Sequence, residues 1–505
     1  MGILVGMHRG VMTVSTGRVH HRRGWKSKGP VVHVVSRLNP GIGLVTGAGR
    51  CRLSSFLSRL CLAAGARGAT SHDPDRAGPT SVRGVPTDLP GSPGRRLALY
   101  AGVAALGRSG TIAMPSAILL AIIAVGDSPS RGSVLIATIS AVGALTGPIL
   151  GAMIDRMAHP RQGFLAGLGA MALGAALLAF GIGVWPLGVL LVIAVFTGLA
   201  QPILIGAWSG QLRRVVPDVP SARAYAVDAG TYNIAEIAGP ALVGAAFIVD
   251  AAFPGSITLE VACVLFVLSM ILLRFVPVPP RAVTTDEPPE PLGRTLRRLR
   301  IMIDSISLRR NTIIGTFSYG AIAFIVIATP LLGEDLAGDA GVGVFLLTLI
   351  AVGAIIGSIL LTRRPIVWRG PGTVAIGATA LLALVMLGIA AAPNFWVAGA
   401  IGVLAGVLVA TQVTSLFRVR DRESPPHARG MVFVASASLR TGAFALGSIL
   451  AGALAFAGWR WLIVGAAAVE VLAVILALLS APVRRPTRPV PTDRRTGDEH
   501  PHNQR

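Results

Sequence analysis

The sequence has 505 residues, a formal net charge of +22 and a hydrophobic fraction of 53%, whereas charged residues make up only 13%. Soluble proteins carry about 25% charged residues, so the composition excludes an ordinary soluble protein, although the basic pI alone would suggest a nucleic-acid partner. The positive charge is uneven, because residues 1–96 hold 15 Lys and Arg against 3 Asp, a net +12. The three cysteines form no CxxC pair, and the sequence predicts no disulfide scaffold, metal site or cofactor.

Residues 1–96 combine Gly, Pro, Ser and Arg without a period and contain no apolar stretch long enough to cross a bilayer. This composition predicts a disordered basic N-terminal extension. It is either a loose tail, including an over-extended gene start, or a basic arm that lies on anionic lipid. Residues 481–505 are predicted to form a disordered cytoplasmic tail.

From Leu97 onward, apolar runs near 20 residues recur, separated by short gaps. About 20 apolar residues in a helix cross a ~30 Å hydrocarbon core, and runs this evenly apolar exclude barrel strands. Twelve transmembrane helices are predicted, at residues 97–125, 133–154, 162–183, 187–211, 227–250, 257–276, 311–332, 341–362, 373–392, 395–416, 431–456 and 459–480.

The charges between these runs predict the orientation. With the N-terminus inside, the inside loops collect arginines such as Arg213, Arg363 and Arg422, whereas the outside loops carry acids such as Asp127 and Asp335. This is the positive-inside asymmetry of multi-pass membrane proteins. We therefore expect both termini to be cytoplasmic and the protein to lie in the plasma membrane.

The apolar block also repeats itself. The segment 141–144 (Ala-Val-Gly-Ala) recurs at 351–354, an offset of 210, and Gly239 and Gly244 recur at an offset of 208 as Gly447 and Gly452. The repeat predicts an all-α membrane protein whose twelve transmembrane helices form two six-helix pseudo-repeats. The N-terminal bundle covers residues 97–276, a cytoplasmic linker covers 277–310, and the C-terminal bundle covers 311–480. Parallel halves of this kind suit alternating access.

Two motifs resemble signatures of the major facilitator superfamily. Gly151, Asp155, Arg156 and Arg161, at the end of the second predicted helix, resemble its GxxxDR loop. In the fifth helix, Gly239, Pro240 and Gly244 resemble its GPxxGG signature, which is associated with exporters that exchange substrate against protons. The resemblance covers about residues 97–480 and implies the major facilitator fold.

The resemblance implies a conformational latch at Gly151, Asp155, Arg156 and Arg161. In the superfamily the Asp contacts the N-terminus of helix 11, which begins near residues 430–431 here. A carboxylate is stabilised at a helix N-terminus, so the contact is physically reasonable. The alternative is that Asp155 and Arg156 are ordinary solvated loop charges.

The Gly239–Pro240 step is expected to bend helix 5, because proline removes a backbone hydrogen bond. With Gly244 it would allow a neighbouring helix to approach closely. The functional interpretation is a tight seal against the other half, and the alternative is packing alone. Gly447 and Gly452 are expected to do the same in helix 11.

Four charged side chains fall near the predicted bilayer midplane: Arg108, Glu236, Arg440 and Glu470. Charges at this depth are costly and usually face a cavity or a partner. Glu236 is the candidate proton carrier, with Arg108 and Arg440 as coupling candidates. The alternative is a static ion pair of Glu236 with Arg108 or Arg440. Glu470, in a peripheral helix, is expected to form a structural pair unless its depth is miscounted.

Seven further side chains are candidates for contact with substrate in the cavity, although each is also explained by helix packing. They are Asn233, Tyr232, Gln201, Trp208, Tyr319, Thr411 and Gln412.

These features predict a secondary transporter, not an enzyme, that exports a small, partly apolar molecule against protons. The alternatives are a proton-coupled importer of a sugar or organic acid and a non-transporting membrane sensor. A membrane enzyme or a permease subunit of an ATP-driven pump is disfavoured, because the sequence has no GxxxxGK[ST] phosphate-binding loop. The expected partners are the small-molecule substrate, protons and the lipid bilayer, with no nucleic acid, and the protein is expected to be a monomer.

Overall fold

A computed structural model describes residues 4–8, 11–15, 92–203, 207–250, 257–280, 300–363, 370–424 and 429–480. The chain divides into two compact units, Met1–Asp73 and Pro74–Arg505.

The described part of the first unit is a hairpin. Strand β1 (Leu4–His8) pairs antiparallel with strand β2 (Val11–Ser15), and Val5 lies opposite Val14. The β-branched Val and Thr side chains of this segment favour an extended backbone. The disorder predicted for residues 1–96 as a whole stays a prediction. The rest of residues 1–91 lies outside the described part of the chain.

The second unit is built from helices. Twelve principal helices follow one another as α1 (Pro93–Ala124), α2 (Pro129–Arg156), α3 (Pro160–Gly181), α4 (Leu187–Ala200), α5 (Ser221–Asp250), α6 (Thr258–Leu273), α7 (Ile306–Ala337), α8 (Ala340–Arg363), α9 (Pro371–Ala390), α10 (Phe395–Glu423), α11 (Arg429–Ala453) and α12 (Trp459–Leu479). Short helices lie between them at Trp208–Gly210, Leu212–Val215, Ile301–Asp304 and Ala455–Ala457.

Several helices begin before the apolar run that predicts them. Ser92 caps α1, where its hydroxyl accepts a hydrogen bond from the backbone N–H of Arg95, and Pro93 follows at the first helical position. Ser128 caps α2 in the same way, and Pro129 follows it. Ser and Asn side chains satisfy free N–H groups at helix starts, and proline needs no N–H there. The caps therefore extend the helices beyond the bilayer-length apolar core.

The predicted fourth helix, 187–211, is described in parts. Helix α4 ends at Ala200, the backbone stays helical at residues 202, 203 and 207, and the short helices Trp208–Gly210 and Leu212–Val215 follow. Residues 204–206 lie outside the described part of the chain. Pro202 accounts for the end of the regular α-helical hydrogen bonding, because proline has no N–H to donate to the preceding turn.

Nine described helices are long and apolar enough to cross a membrane: α1, α3, α5 and α7–α12. Helices α4 and α6 are apolar but shorter. The all-helical membrane fold is thus confirmed, and the count of twelve spans is confirmed in part.

The same packing pattern occurs twice. Helix α1 packs on α5 and α6, and α7 packs on α11 and α12. Likewise α2 packs on α4 and α3 on α6, while α8 packs on α10 and α9 on α12. Each of these contacts of the first six helices thus recurs six helices later, as two pseudo-equivalent halves require.

The two halves meet mainly through α2 with α11 and α5 with α8. The hydroxyl of Ser130 donates to the carbonyl of Gly452, 2.6 Å away. A Cβ on Gly244 would lie 2.8 Å from the carbonyl oxygen of Gly341, so these backbones touch without side chains between them. Both contacts lie at one end of the bundle, the end that carries the α1–α2 and α7–α8 loops. We call it the closed end.

Candidate functional site

A central cavity of about 300 Å³ lies where the two halves face each other. Its walls are mostly apolar, with residues such as Ile112, Ile322, Val409 and Phe444. Drug-sized molecules bind in pockets of this kind, where a few polar groups fix their orientation. The polar lining is therefore the informative part of the site.

Glu236 and Arg440 are both part of that lining. Glu236 lies near the middle of α5, and its side chain is accessible in the cavity. Arg440 lies on α11 with its guanidinium 4.3 Å from the centroid of the Tyr319 ring, and its positive charge acts on the Glu236 carboxylate. Among the described residues, no side chain forms a hydrogen bond or ion pair with Glu236. The expected static ion pair of Glu236 is therefore not formed in this conformation.

Arg108 is held inside the N-terminal half. Its side chain is 1% exposed and forms an ion pair with Asp228 at 3.0 Å. The guanidinium also donates to the Ser209 hydroxyl at 2.7 Å and to the Thr231 hydroxyl, and it stacks over Tyr232 at 3.7 Å from the ring centroid. Arg108 thus has an acidic partner that the sequence analysis missed.

Asp228 is the centre of this cluster. Its carboxylate accepts hydrogen bonds from the hydroxyls of Tyr100, at 2.7 Å, and Ser209, at 2.8 Å, besides pairing with Arg108. The signal that could have revealed it is spacing, since Asp228, Tyr232 and Glu236 follow one another at four-residue intervals on α5. An acid inside an apolar helix needs a partner, and Arg108 is the buried cation on the neighbouring helix.

The other half repeats the arginine–tyrosine contact with the residues exchanged. Arg440 on α11 is equivalent to Tyr232 on α5 at the offset of 208. Tyr232 stacks with Arg108 of α1, whereas Arg440 stacks with Tyr319 of α7. At the same offset, Asp228 corresponds to Ser436, which is buried and whose hydroxyl has no hydrogen-bond partner among the described residues. Arg440 therefore lacks the acid that Arg108 has.

A hydrogen-bonded network joins four helices of the C-terminal half. The amide nitrogen of Gln412 donates to Ser318 at 2.9 Å and to Thr379 at 2.7 Å, and Ser318 donates to Glu470 at 2.6 Å. Glu470 is 1% exposed. Its pairing with Ser318 places it in the core of the half, at the margin of the cavity.

Three of the seven candidate substrate contacts line the cavity. Gln201, Tyr319 and Gln412 line the cavity, whereas Asn233, Tyr232, Thr411 and Trp208 are not among its described lining residues. Trp208 is fully buried, stacks on Tyr100 at 5.2 Å between ring centroids and meets Phe164 edge-on. It is a packing residue of the N-terminal half, because its ring packs against Tyr100 and Phe164.

The three residues of the helix-5 motif, on α5, lie in different surroundings. A Cβ on Gly239 would lie 3.0 Å from the carbonyl oxygen of Ser109, so Gly239 packs on α1 of its own half and not on the other half. Pro240 lines the cavity, and Gly244 contacts α8 of the other half. Only the Gly244 part of the motif, among these three residues, therefore lies at the interface predicted for the seal.

Only part of the predicted latch lies in the described part of the chain. The backbone of Gly151, Asp155 and Arg156 ends helix α2, but their side chains lie outside the described part of the chain. Arg161 donates a hydrogen bond to the carbonyl of Arg274, which ties the start of α3 to the end of α6. The latch stays a prediction.

A family model described as the Major Facilitator Superfamily matches residues 97–442 and, again, 312–502. The chain belongs to the major facilitator superfamily. The membership predicted from the motifs is confirmed, and the superfamily identifies a transporter, not an enzyme. A search of curated proteins gives no match to the chain.

Solved transporters of this superfamily type have the same fold. The nucleoside transporter NupG (D323A mutant) has a TM-score of 0.62 at 10% identity, covering 77% of this chain and 100% of its own. A bacterial homolog of the human lysosomal transporter Spinster, inward-facing and unoccupied, has a TM-score of 0.59 at 14% identity, covering 77% and 98%. The human organic anion transporter MFSD10 (TETRAN) has a TM-score of 0.53 at 18% identity, covering 77% and 100%. At these identities the likeness shows the fold alone.

Proposed function

We propose that this transporter couples the export of a small, partly apolar molecule to protons by alternating access. The observation that carries the proposal is the central cavity, whose apolar walls hold a carboxylate, Glu236, that has no hydrogen-bond or ion-pair partner among the described residues. A carboxylate in a low-dielectric site binds or releases a proton as its exposure changes. The apolar walls suit a partly apolar substrate.

Glu236 is better suited to carry the proton than the other buried acid of helix α5. Asp228 is neutralised by Arg108 and accepts hydrogen bonds from Tyr100 and Ser209, so its negative charge is stabilised in place. Glu236 faces Arg440 across the cavity without a direct bond. The substrate or a proton can therefore compete for the negative charge of the Glu236 carboxylate.

The contacts at the closed end bear on the side of the membrane from which the central cavity is reached. Ser130 with Gly452 and Gly244 with Gly341 hold the halves together there. The arginine distribution predicts that this end faces outward and that both termini are cytoplasmic. In this orientation the halves are in contact on the outer side, and rocking of the halves would open the closed end and release substrate outside.

The test is proton-driven transport by Glu236→Gln. Membrane vesicles that contain the wild type or the variant are loaded with a panel of amphipathic drugs and dyes, and flux is followed after a pH gradient is imposed. We expect wild-type flux that collapses with an uncoupler and loss of flux in the variant, with unchanged folding. Glu334→Gln is the matched control, because Glu334 is exposed near the end of α7. Undiminished flux by Glu236→Gln would refute the role of Glu236.

Import of an organic acid is the second candidate, favoured by the Arg440 guanidinium in the cavity wall. Anions bind arginine through charge-assisted hydrogen bonds. Arg108 no longer supports this alternative, since Asp228 already pairs with it. Flux in right-side-out and inverted vesicles distinguishes export from import, and binding without flux in both would indicate a sensor.

A further inference from the structure

A second pocket, of about 260 Å³, lies at the end of the N-terminal half opposite the closed end. Four arginines line it, Arg95 and Arg96 at the start of α1, Arg161 at the start of α3 and Arg274 after α6. Its remaining described lining residues are apolar or proline, and none of them is acidic: Leu99, Phe275, Val276 and Pro277. Four cations around one cavity, with no acid in its described lining, favour an anion there.

Arg96 has unused hydrogen-bond donors in this pocket. Its side chain is 4% exposed, and one terminal nitrogen pairs with Asp218. The Nε and the other terminal nitrogen are buried without an acceptor in the described part of the chain. Buried donors without acceptors are rare in native proteins, so they point to an acceptor that comes from elsewhere.

The surroundings of Arg96 favour an oxyanion. Arg161 is fixed by its hydrogen bond to the Arg274 carbonyl, while the side chains of Arg95 and Arg274 are exposed. The guanidinium fork matches the spacing of phosphate oxygens, and the start of a long helix such as α1 adds partial positive charge.

The other half lacks this charge imbalance. Its pocket at the same end contains Arg310 and Arg422, but also Glu423, and Arg422 lies 3.8 Å from that carboxylate. The larger surplus of arginines therefore belongs to the pocket of the N-terminal half.

We propose that the pocket of Arg95, Arg96, Arg161 and Arg274 binds a phosphate-type anion. A phospholipid head group is the favoured source, because exposed apolar side chains at and just after the end of α6 continue from the pocket, with Phe275 61% and Ile271 48% exposed. Basic pockets between transmembrane helices are known to hold anionic head groups. The site is separate from the central cavity and does not depend on the coupling ion.

The experiment measures lipid binding to the full-length protein in mild detergent by native mass spectrometry. Dioleoylphosphatidylglycerol is titrated against dioleoylphosphatidylcholine. Each arginine near a lipid surface contributes about five-fold in affinity, so the double variant Arg95→Gln/Arg274→Gln is expected to bind phosphatidylglycerol about 25-fold more weakly. The matched control Arg363→Gln/Arg422→Gln removes the same charge at the same end, outside the pocket, and is expected to bind within about two-fold of the wild type.

Equal binding of the two lipids, or an equal loss in both double variants, would overturn the proposal. Inorganic phosphate separates the two sources of the anion. If phosphate alone binds with the same dependence on Arg95 and Arg274 and displaces the lipid at millimolar concentration, the anion site stands and the lipid source is wrong. If the glutamine variant does not fold, Arg95→Lys/Arg274→Lys decides, since it retains charge and is expected to lose only part of the affinity.

Discussion

Replacing Asp228 with alanine would remove the centre of the buried polar cluster in the N-terminal half. The Arg108 side chain, 1% exposed, would lose its ion pair, and the hydroxyls of Tyr100 and Ser209 would lose their acceptor. Removing one partner of a buried ion pair costs about 3–5 kcal/mol, because an uncompensated charge stays behind. For a unit the size of one half, this corresponds to a fall in melting temperature on the order of 10 °C.

The assay is the fraction of monodisperse protein that remains after heating in detergent, measured for the wild type, Asp228→Ala and the cycle of Asp228→Leu, Arg108→Met and the double variant Arg108→Met/Asp228→Leu. Replacing a buried ion pair by apolar groups of similar volume is often close to neutral. We therefore expect the double variant to be more stable than either single one, with a favourable coupling of about 1–3 kcal/mol between the sites.

Two results would refute this reasoning. If either single variant melts within about 2 °C of the wild type, the cluster is not a buried unit of the kind described. If the losses of the single variants add in the double one, Arg108 and Asp228 do not act on each other. Both results would return Arg108 to the list of candidates for coupling.

Two further substitutions test the interfaces and the second half. Gly244→Leu would place a side chain against the Gly341 carbonyl, 2.8 Å from the Cβ position, and is expected to separate the halves at the closed end. The labelling rate of a cysteine introduced into the α7–α8 loop should rise, whereas an unchanged rate would contradict the close contact. Gln412→Leu would remove the donor shared by Ser318 and Thr379 and is expected to cost about 1–3 kcal/mol of stability; a melting temperature equal to the wild type would show that the network is not buried in the folded protein.

Much of the fold follows from hydrophobicity alone, but helix ends do not. The length of an apolar run predicts where the chain crosses the lipid. Helix α10, however, continues beyond its apolar part through Arg418, Arg420 and Arg422 to Glu423. Helix propensity and capping determine such ends, and both act outside the bilayer as well. Pro202 is the opposite case, since the apolar run continues through it while the regular α-helix α4 ends at Ala200.

The site was predictable as a set of residue types but not as a set of pairs. The membrane depth predicted from the sequence identified Arg108, Glu236, Arg440 and Glu470 as costly charges. All four have buried or cavity-facing positions. The partners depend on which helix faces which, and no single-helix pattern contains that information. Asp228 shows this, because it lies on the predicted helix yet only the packing of α1 on α5 joins it to Arg108.

The two halves differ in how their central arginines are paired. In the N-terminal half, Asp228 satisfies Arg108 within the bundle. In the C-terminal half, the equivalent position is Ser436, four residues before Arg440 on α11, and its buried hydroxyl has no described partner. The charge of Arg440 is therefore directed towards Glu236 across the cavity.

Ser436→Asp would supply the missing acid. An aspartate four residues before an arginine on a helix is placed to pair with it, so Arg440 would be held within its own half as Arg108 is. We expect the melting temperature to stay the same or rise, while proton-driven flux falls at least ten-fold, about 1.4 kcal/mol of barrier. Ser436→Asn, which has the same shape without the charge, should retain flux. Wild-type flux in Ser436→Asp, or an equal loss in Ser436→Asn, would show that the charge of Arg440 is not what Glu236 responds to.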